Sequence, residues 1–238
     1  MPQKRLDLTA VDSQRIKDEF KAEVAKHDSS WLDIESNEFW RQAGTICYSP
    51  DEFASTSHGQ VISKEPLYTV RSVDEGIPPI RWPRTPSFES DRRPLSGIKV
   101  LDLTRVIAGP SISRILSLLG ADVLRVSSDT LPDTFLLYDT QIGKRDTRLN
   151  LKSKEGKLQL RQLLEDTDVL LDGFRPGALE KLGFGRVMLR EIAKRRERGI
   201  VHARENCYGW KGDWSHRSGW QQIADAVSEG LLSVISMI

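Results

Sequence analysis

Apolar residues recur every third or fourth position through the first part of the chain. Between Ala10 and Lys26, Ile16, Phe20 and Val24 are spaced four apart, which places them on one face of a helix. A second helical run carries Trp31, Leu32, Phe39 and Trp40. Ser49-Pro50-Asp51-Glu52 combines a capping hydroxyl, a proline at the first helical position and a glutamate at the third, and so predicts a helix start. Residues 77–93 then gather Pro78, Pro79, Pro83 and Pro86 among charges, and Pro94 follows. A stretch missing so many backbone donors resists helix and sheet and predicts a linker or a surface strap.

From Pro94 onward the pattern alternates. Ile98 to Leu103 reads as a strand, and Ala108-Gly109-Pro110 as a turn with Pro110 placed to open a helix. Ile112, Ile115, Leu116 and Leu119 give that helix one apolar face, predicted to be buried, and Gly120 ends it. Asp122 to Val126 is a second strand, completing a β-α-β unit of about thirty residues. Ser153 is positioned to cap a helix whose Leu160, Leu163 and Leu164 face inward, and Val169 to Leu171 follows as a strand. A further helix is predicted over Val187 to Arg196, then a strand at Ile200-Val201-His202-Ala203. The pattern predicts an α/β fold, a Rossmann-like, mostly parallel sheet with flanking helices, preceded by a helical small-domain segment. The expected division is 1–76 helical, 77–93 linker and 94–238 Rossmann-like.

Composition narrows the function classes. A hydrophobic share of 38% and a charged share of 29% fit a globular chain of 238 residues rather than a disordered one. Lys plus Arg (35) nearly balances Asp plus Glu (34), so no electrostatic case exists for nucleic acid or an anionic membrane as partner. The longest apolar run, Leu231 to Ile238, is too short to span a bilayer. Neither a secretory signal at the amino terminus nor a peroxisomal address at Ser236-Met237-Ile238 is expected, which leaves a cytoplasmic protein as the default. Cys47 and Cys207 do not form a CxxC pair, and Cys207 is expected to be a buried thiol. His27, His58, His202 and His216 lack metal-ligand spacing, so no metal is expected.

Four segments could carry chemistry. The turn at Ala108–Ser111 hands a strand to a helix, so its amides could hold an anion, or it could simply turn. Neither GxGxxG nor GxxxxGK[ST] is present, which removes the nicotinamide and P-loop readings. Gly173-Phe174-Arg175-Pro176-Gly177 follows a strand, where ligands of open α/β sheets bind. Arg175 could there pair with a phosphate or point into water. Gly143-Lys144-Arg145, before the strand-like Thr147 to Lys152, could bind phosphate or be ordinary surface. Lys194-Arg195-Arg196-Glu197-Arg198 is expected to be the solvated face of a helix.

Together these segments are more specific than any alone. The run from Pro94-Leu95-Ser96-Gly97 through Asp102-Leu103-Thr104-Arg105-Val106-Ile107-Ala108-Gly109-Pro110 resembles the opening signature of the family III CoA-transferases. That family includes formyl-CoA transferase, carnitine CoA-transferase and α-methylacyl-CoA racemase. Leu119 to Val123, Gly143-Lys144-Arg145, Asp168 to Leu171, Phe174 to Gly183, Tyr208-Gly209-Trp210 and Gly219 to Ala226 follow in the family's order. The resemblance implies coenzyme A contacts at Ile107, Ala108, Asn150, Leu151, Lys152, Gly173, Phe174, Arg175 and Lys181. It implies an acyl-CoA and a carboxylic acid as substrates, coenzyme A as substrate rather than a tightly bound cofactor, and a homodimer. Peroxisomal or mitochondrial placement also occurs within it.

Departures from the pattern qualify the expected chemistry. The family usually has a glutamate where this chain has Ser127-Ser128, and the following loop to Gly143 is short, so part of the cleft is expected to be missing. The family's transferases attack the thioester with an aspartate. The resemblance places that residue beyond Trp220, past the last residue here, and no catalytic residue is assigned to this chain. A catalytically inactive, coenzyme-A-binding protein is therefore the alternative expectation. Trp220 stands where the racemase branch has a histidine, which argues against racemase chemistry. The segment from Trp31 to Phe53 loosely resembles the end of the family's small domain, as in fungal-type members.

Overall fold

Short strands alternating with helices dictate the architecture of the larger part of this protein. The computed structural model describes residues 10–72, 77, 93–131 and 137–227. Two compact units divide the chain, Met1–Thr56 with Arg217–Ile238, and Ser57–His216. Most of the 77–93 linker lies outside the described residues.

The first unit opens with α1 (Ala10–Val24), where Phe20 and Val24 are exposed. Helix α2 (Ser29–Ile34) is capped by Asp28, whose side chain accepts from the Ser30 and Trp31 amides, and it runs into a π-helical turn at Glu35–Phe39. The predicted capping box starts α3 (Pro50–Ser55): Ser49 accepts the Glu52 amide while the Glu52 carboxylate accepts the Ser49 amide. Within this unit Arg217 is buried with Asp33, donating at 2.8 Å, and reaches Glu38 at 3.1 Å.

The second unit begins with α4 (Ser57–Ile62), which hydropathy did not distinguish. Then follow β1 (Lys99–Leu103), α5 (Ala108–Leu118), β2 (Asp122–Ser127), α6 (Leu137–Thr140), β3 (Arg145–Arg148), α7 (Lys154–Leu164), β4 (Val169–Asp172), α8 (Ala178–Leu182), α9 (Arg186–Arg195) and β5 (Val201–Arg204). A last helix, α10 (Gln221–Val227), belongs to the first unit, where Ala226 accepts the Tyr48 amide at 3.1 Å. The five strands form one parallel sheet in the order β3-β2-β1-β4-β5. Parallel pairing is expected where helices cover both faces.

Strand alternation sends Leu101 and Leu103 to one face with Leu170, where they pack on Leu160, Leu164, Leu179, Leu189 and Ile192. Val100 and Val123 line the other face, beneath Leu116 of α5. Asp102 falls on the Val100 side, fully buried. Its Oδ1 accepts the Thr104 amide at 3.0 Å and the Thr104 hydroxyl at 2.5 Å. Its Oδ2 accepts the Ser113 hydroxyl at 2.5 Å and the Lys144 ammonium at 3.1 Å. Lys144, just as buried, uses its other two protons on the Pro110 carbonyl at 2.9 Å and Ser113 Oγ at 2.6 Å. Burial pushes its pKa down, and Asp102 opposes that.

Several expectations change here. Lys144 is neither a phosphate ligand nor surface, because it neutralises Asp102. The buried face of α5 is Gly109, Pro110, Ser113 and Ser117, whereas Ile112, Ile115 and Leu119 are exposed. The pair beneath the helix needs hydroxyls and close approach, which outweigh apolar periodicity. That helix starts at Ala108 rather than Pro110, since amides of a first helical turn have no intrahelical partner and a proline there loses nothing. The strand expected over Thr147–Lys152 ends at Arg148, because Asn150 Oδ1 takes the Lys152 amide at 3.0 Å and turns the chain into α7. Arg196 is not merely solvated: it donates to the Glu165 carbonyl at 3.0 Å and the Gly199 carbonyl at 2.6 Å. Cys207 is exposed rather than buried.

Removing one partner of a buried pair strands the other's charge. Lys144→Met is expected to lower stability by about 3–5 kcal/mol, measured by urea unfolding. Adding Asp102→Asn should recover part of the loss, because an amide still accepts the Thr104 N–H without a counter-charge.

Candidate functional site

All five strands point the same way, so their carboxyl ends share one edge, and the strand order reverses between β1 and β4. Ligands of open α/β sheets bind at such a switch point. Here the register fixes the geometry: Leu103, the last residue of β1, lies opposite Asp172, the last of β4. The Gly173 amide then donates to the Leu103 carbonyl at 3.3 Å. The turn after β1 and the turn after β4 therefore leave the sheet side by side.

Two glycines measure how closely they meet. A Cβ on Gly109 would lie 2.4 Å from Thr104 Cβ and 2.6 Å from Glu205 Oε1. A Cβ on Gly173 would lie 2.9 Å from the same Glu205 oxygen and 3.2 Å from Thr104 Cβ. Both turns thus share one floor, made by Thr104 and Glu205. Between Thr104 and the helix, Val106 adopts φ 70°. That conformation is an outlier for a β-branched residue, of a kind that gathers at functional sites.

The residues expected to contact coenzyme A distribute along this edge. Ile107 caps α5 and Ala108 opens it, half-buried and exposed respectively. Gly173 and Arg175 are exposed on the β4 turn, whereas Phe174 packs against the main core and gives its amide to Asp172 at 2.9 Å. Lys181 is exposed on α8, and Gly177 at that helix's start is left-handed, with φ 80°. Asn150, Leu151 and Lys152 follow β3, the edge strand, so ordinary strand spacing puts them about 10 Å from β1 and about 14 Å from β4. The structure sets the turn that carries Ile107 and Ala108 beside the turn that carries Gly173 and Arg175. Asn150–Lys152 forms a separate station on the same edge, and the Asn150 side chain is engaged there by its own turn.

Sequence reasoning missed the carboxylates at this edge. Asp172 is buried and pairs with His202 Nε2 at 3.3 Å. Glu205 follows β5 and accepts the Gly109 amide. Burial, Asp102 and Asp172 push its pKa up against that hydrogen bond. The anion-binding amide proposed at Gly109 is thus already engaged by the protein's own carboxylate. The discoverable signal was positional: an acid directly after a strand of a parallel sheet stands on the ligand edge. Among the described residues no group of His, Cys, Asp and Glu could hold a metal ion. None of the described helices is long and apolar enough to cross a membrane.

A five-stranded parallel sheet with two glycine turns converging at its switch point defines an open α/β domain of the Rossmann-like kind. Residues 95–237 match CoA-transferase family III, and the chain belongs to that family. It is 45% identical over 217 residues to acetyl-coenzyme A transferase nodX of Hypoxylon pulicicidum, covering 90% of this chain and 37% of that one. It is 40% identical over 190 residues to an acyl-CoA transferase of Gibberella moniliformis, covering 78% and 33%. A CaiB/BaiF family protein from Brucella suis superposes with a TM-score of 0.50 at 26% identity, over 56% of this chain and 38% of that one. The chain thus spans about a third of the length of these relatives.

The close approach at Gly109 predicts that Gly109→Ala destabilises the domain by about 1–3 kcal/mol through overpacking against Thr104. Thermal unfolding should register it as a Tm lower by several degrees. Gly177→Asn, at an open left-handed position, should change little.

Proposed function

We propose that this chain supplies the coenzyme-A-binding side of a CoA-transferase, which moves CoA from an acyl-CoA to a carboxylic acid. The observation that carries this reading is the convergence of the Ile107–Gly109 and Gly173–Arg175 turns over Thr104 and Glu205. A pyrophosphate laid across that edge would meet backbone amides and the Arg175 guanidinium. The adenosine and pantetheine ends would then extend toward Lys181 on one side and Asn150-Leu151-Lys152 on the other. The chemistry belongs to a carboxylate that attacks the thioester carbonyl and expels CoA thiolate, giving a mixed anhydride. The thiolate then attacks the enzyme's own carbonyl of that anhydride, releasing the acyl carboxylate and leaving an enzyme-bound CoA thioester. Neither Asp213, which accepts the Ser57 hydroxyl at 2.6 Å, nor Asp225 is assigned that role.

Acetyl-CoA is the first donor to test, since the names of the two sequence relatives specify acetyl- and acyl-CoA transfer. Coenzyme A enters and leaves as substrate, with no tightly bound cofactor. We also propose a homodimer in the cytoplasm. The exposed Ile112, Ile115 and Leu118 of α5 are supporting features for the former, as an apolar face of this kind is suited to burial against another surface.

Calorimetric titration with coenzyme A should give saturable binding, weakened about tenfold or more in Arg175→Ala because a charge-assisted contact is lost. Equal affinity would remove Arg175 from the site. No binding by the unaltered protein would remove the coenzyme A reading. With acetyl-CoA and a carboxylate acceptor, hydroxylamine should trap an enzyme-bound thioester wherever the transferase nucleophile is present. Sedimentation should give twice the mass of one chain, and a single-chain mass would remove the dimer.

A further inference from the structure

The carboxylate beneath the two turns is an unexpected occupant of an anion site. Glu205 directly follows β5, its amide donates to the Asp172 carbonyl at 3.3 Å, and its side chain reaches across β4 to the start of α5. There it accepts the Gly109 amide, one of the few donors that the turn can offer a ligand. It also stands within contact range of Gly173, on the second turn. The surroundings oppose its charge. Asp102 on β1 and Asp172 on β4 act on it with the same sign, and burial adds to them. Of the basic side chains around it, Lys144 is committed to Asp102, the His202 ring on β5 bonds to Asp172, and Arg204 reaches Glu180, while Arg105 and Arg175 lie exposed on the two turns. Val106 meanwhile holds the intervening turn in a left-handed conformation that the chain would relax if nothing held it.

We propose that Glu205 is a positioning residue that sets the Val106–Gly109 turn for its anionic ligand through its own protonation. As a carboxylate it keeps the Gly109 amide for itself and places a negative charge beside the ligand. As a carboxylic acid it removes that charge and yields the amide. Binding of a phosphate-bearing ligand at the two turns is then coupled to uptake of one proton. This rests on the coenzyme A reading for the identity of the ligand, though not for the coupling between Glu205 and Gly109.

The sign follows from linkage. An anion bound beside Glu205 favours its neutral form, so affinity rises as pH falls through the ionisation of Glu205, by at most about tenfold per pH unit for one proton. Glu205→Gln removes the charge and leaves beside the Gly109 amide only a neutral carbonyl oxygen, a weaker acceptor than a carboxylate, as the protonated acid does. It should bind more tightly at neutral pH, by about tenfold, and lose the pH dependence.

The titrations use dephospho-coenzyme A, whose pyrophosphate diester does not itself titrate near neutrality, over a range in which histidines also ionise. The expected result is a proton-linked slope in the wild type and a flat, tighter profile in Glu205→Gln. A slope that persists in Glu205→Gln would assign the proton to His202 and overturn the proposal. Weaker binding by Glu205→Gln at every pH would make Glu205 a strut and overturn it as well.

A second arm needs no ligand. Labelling alanine carbonyls and glycine amides together selects only Gly44 and Gly109, the glycines that follow an alanine in this sequence. The Gly109 amide resonance should move with pH in the wild type and stand still in Glu205→Gln. A titrating amide without any binding would remove coenzyme A and keep the coupling, whereas binding with a silent amide would do the reverse.

Discussion

Asp102 and Lys144 meet in the interior, and neither retains an unused hydrogen-bonding partner in that contact. Every proton of the ammonium finds an oxygen, and both oxygens of the carboxylate accept twice. Such completeness is what makes a buried pair tolerable, since desolvation costs several kcal/mol per ion and only good geometry offsets it. The same bonds tie together segments that the sheet alone leaves independent. Asp102 belongs to β1, Pro110 and Ser113 to α5, and Lys144 to the residue just before β3. Through Thr104 the pair also fixes the first residue of the turn after β1. The candidate site is therefore anchored from below by an ionic joint rather than by apolar packing, which explains why α5 presents serines and glycine to the sheet.

That joint also explains how the sequence could reveal the architecture and mislead about one of its helices. Periodicity located four of the five strands to within a residue or two, because Val100-Leu101, Val123, Leu170-Leu171 and Val201 obey the alternation that a buried parallel sheet imposes. It failed on α5, whose aliphatic stripe of Ile112, Ile115 and Leu119 points outward. A hydrophobic pattern records which residues prefer burial. It does not record a charge on the neighbouring strand that demands hydroxyls instead. Strand β3 failed for a related reason. Arg145-Asp146-Thr147-Arg148 has no apolar residue at all and is held by pairing to β2 and by ion pairs of Arg145 with Asp122 and Arg125 with Asp146. Only Leu149, just beyond it, joins the core.

The site was legible in part. Glycine-bearing turns after two strands can be read from sequence, and the strand order that sets them side by side follows from a parallel sheet once β1 and β4 are known to be neighbours. What could not be read is the floor beneath them. Thr104 and Glu205 come from two strand ends 101 residues apart, and nothing in their local sequence marks them as companions. Glu205 in particular sits in Arg204-Glu205-Asn206, a polar run that reads as an ordinary loop.

The charges at this edge argue for recognition by backbone rather than by cations. Asp102, Asp172 and Glu205 lie under the two turns, and the Lys144 ammonium and the His202 ring are each bonded to one of those acids. Arg105 and Arg175 are the basic side chains on the converging turns themselves, and both are exposed, where water screens much of what a single charge contributes. An anion placed at the proposed site would gain chiefly from amides at the start of an 11-residue helix, whose dipole favours negative charge over the first turn only. Such a site would select by shape, since amides fixed in a turn reward an oxygen placed within reach of them and little else. It also has reason to be sensitive to any acid that competes for the same N–H. An acid four strands further along the sequence but adjacent in space would then govern the turn more effectively than a basic residue on its rim.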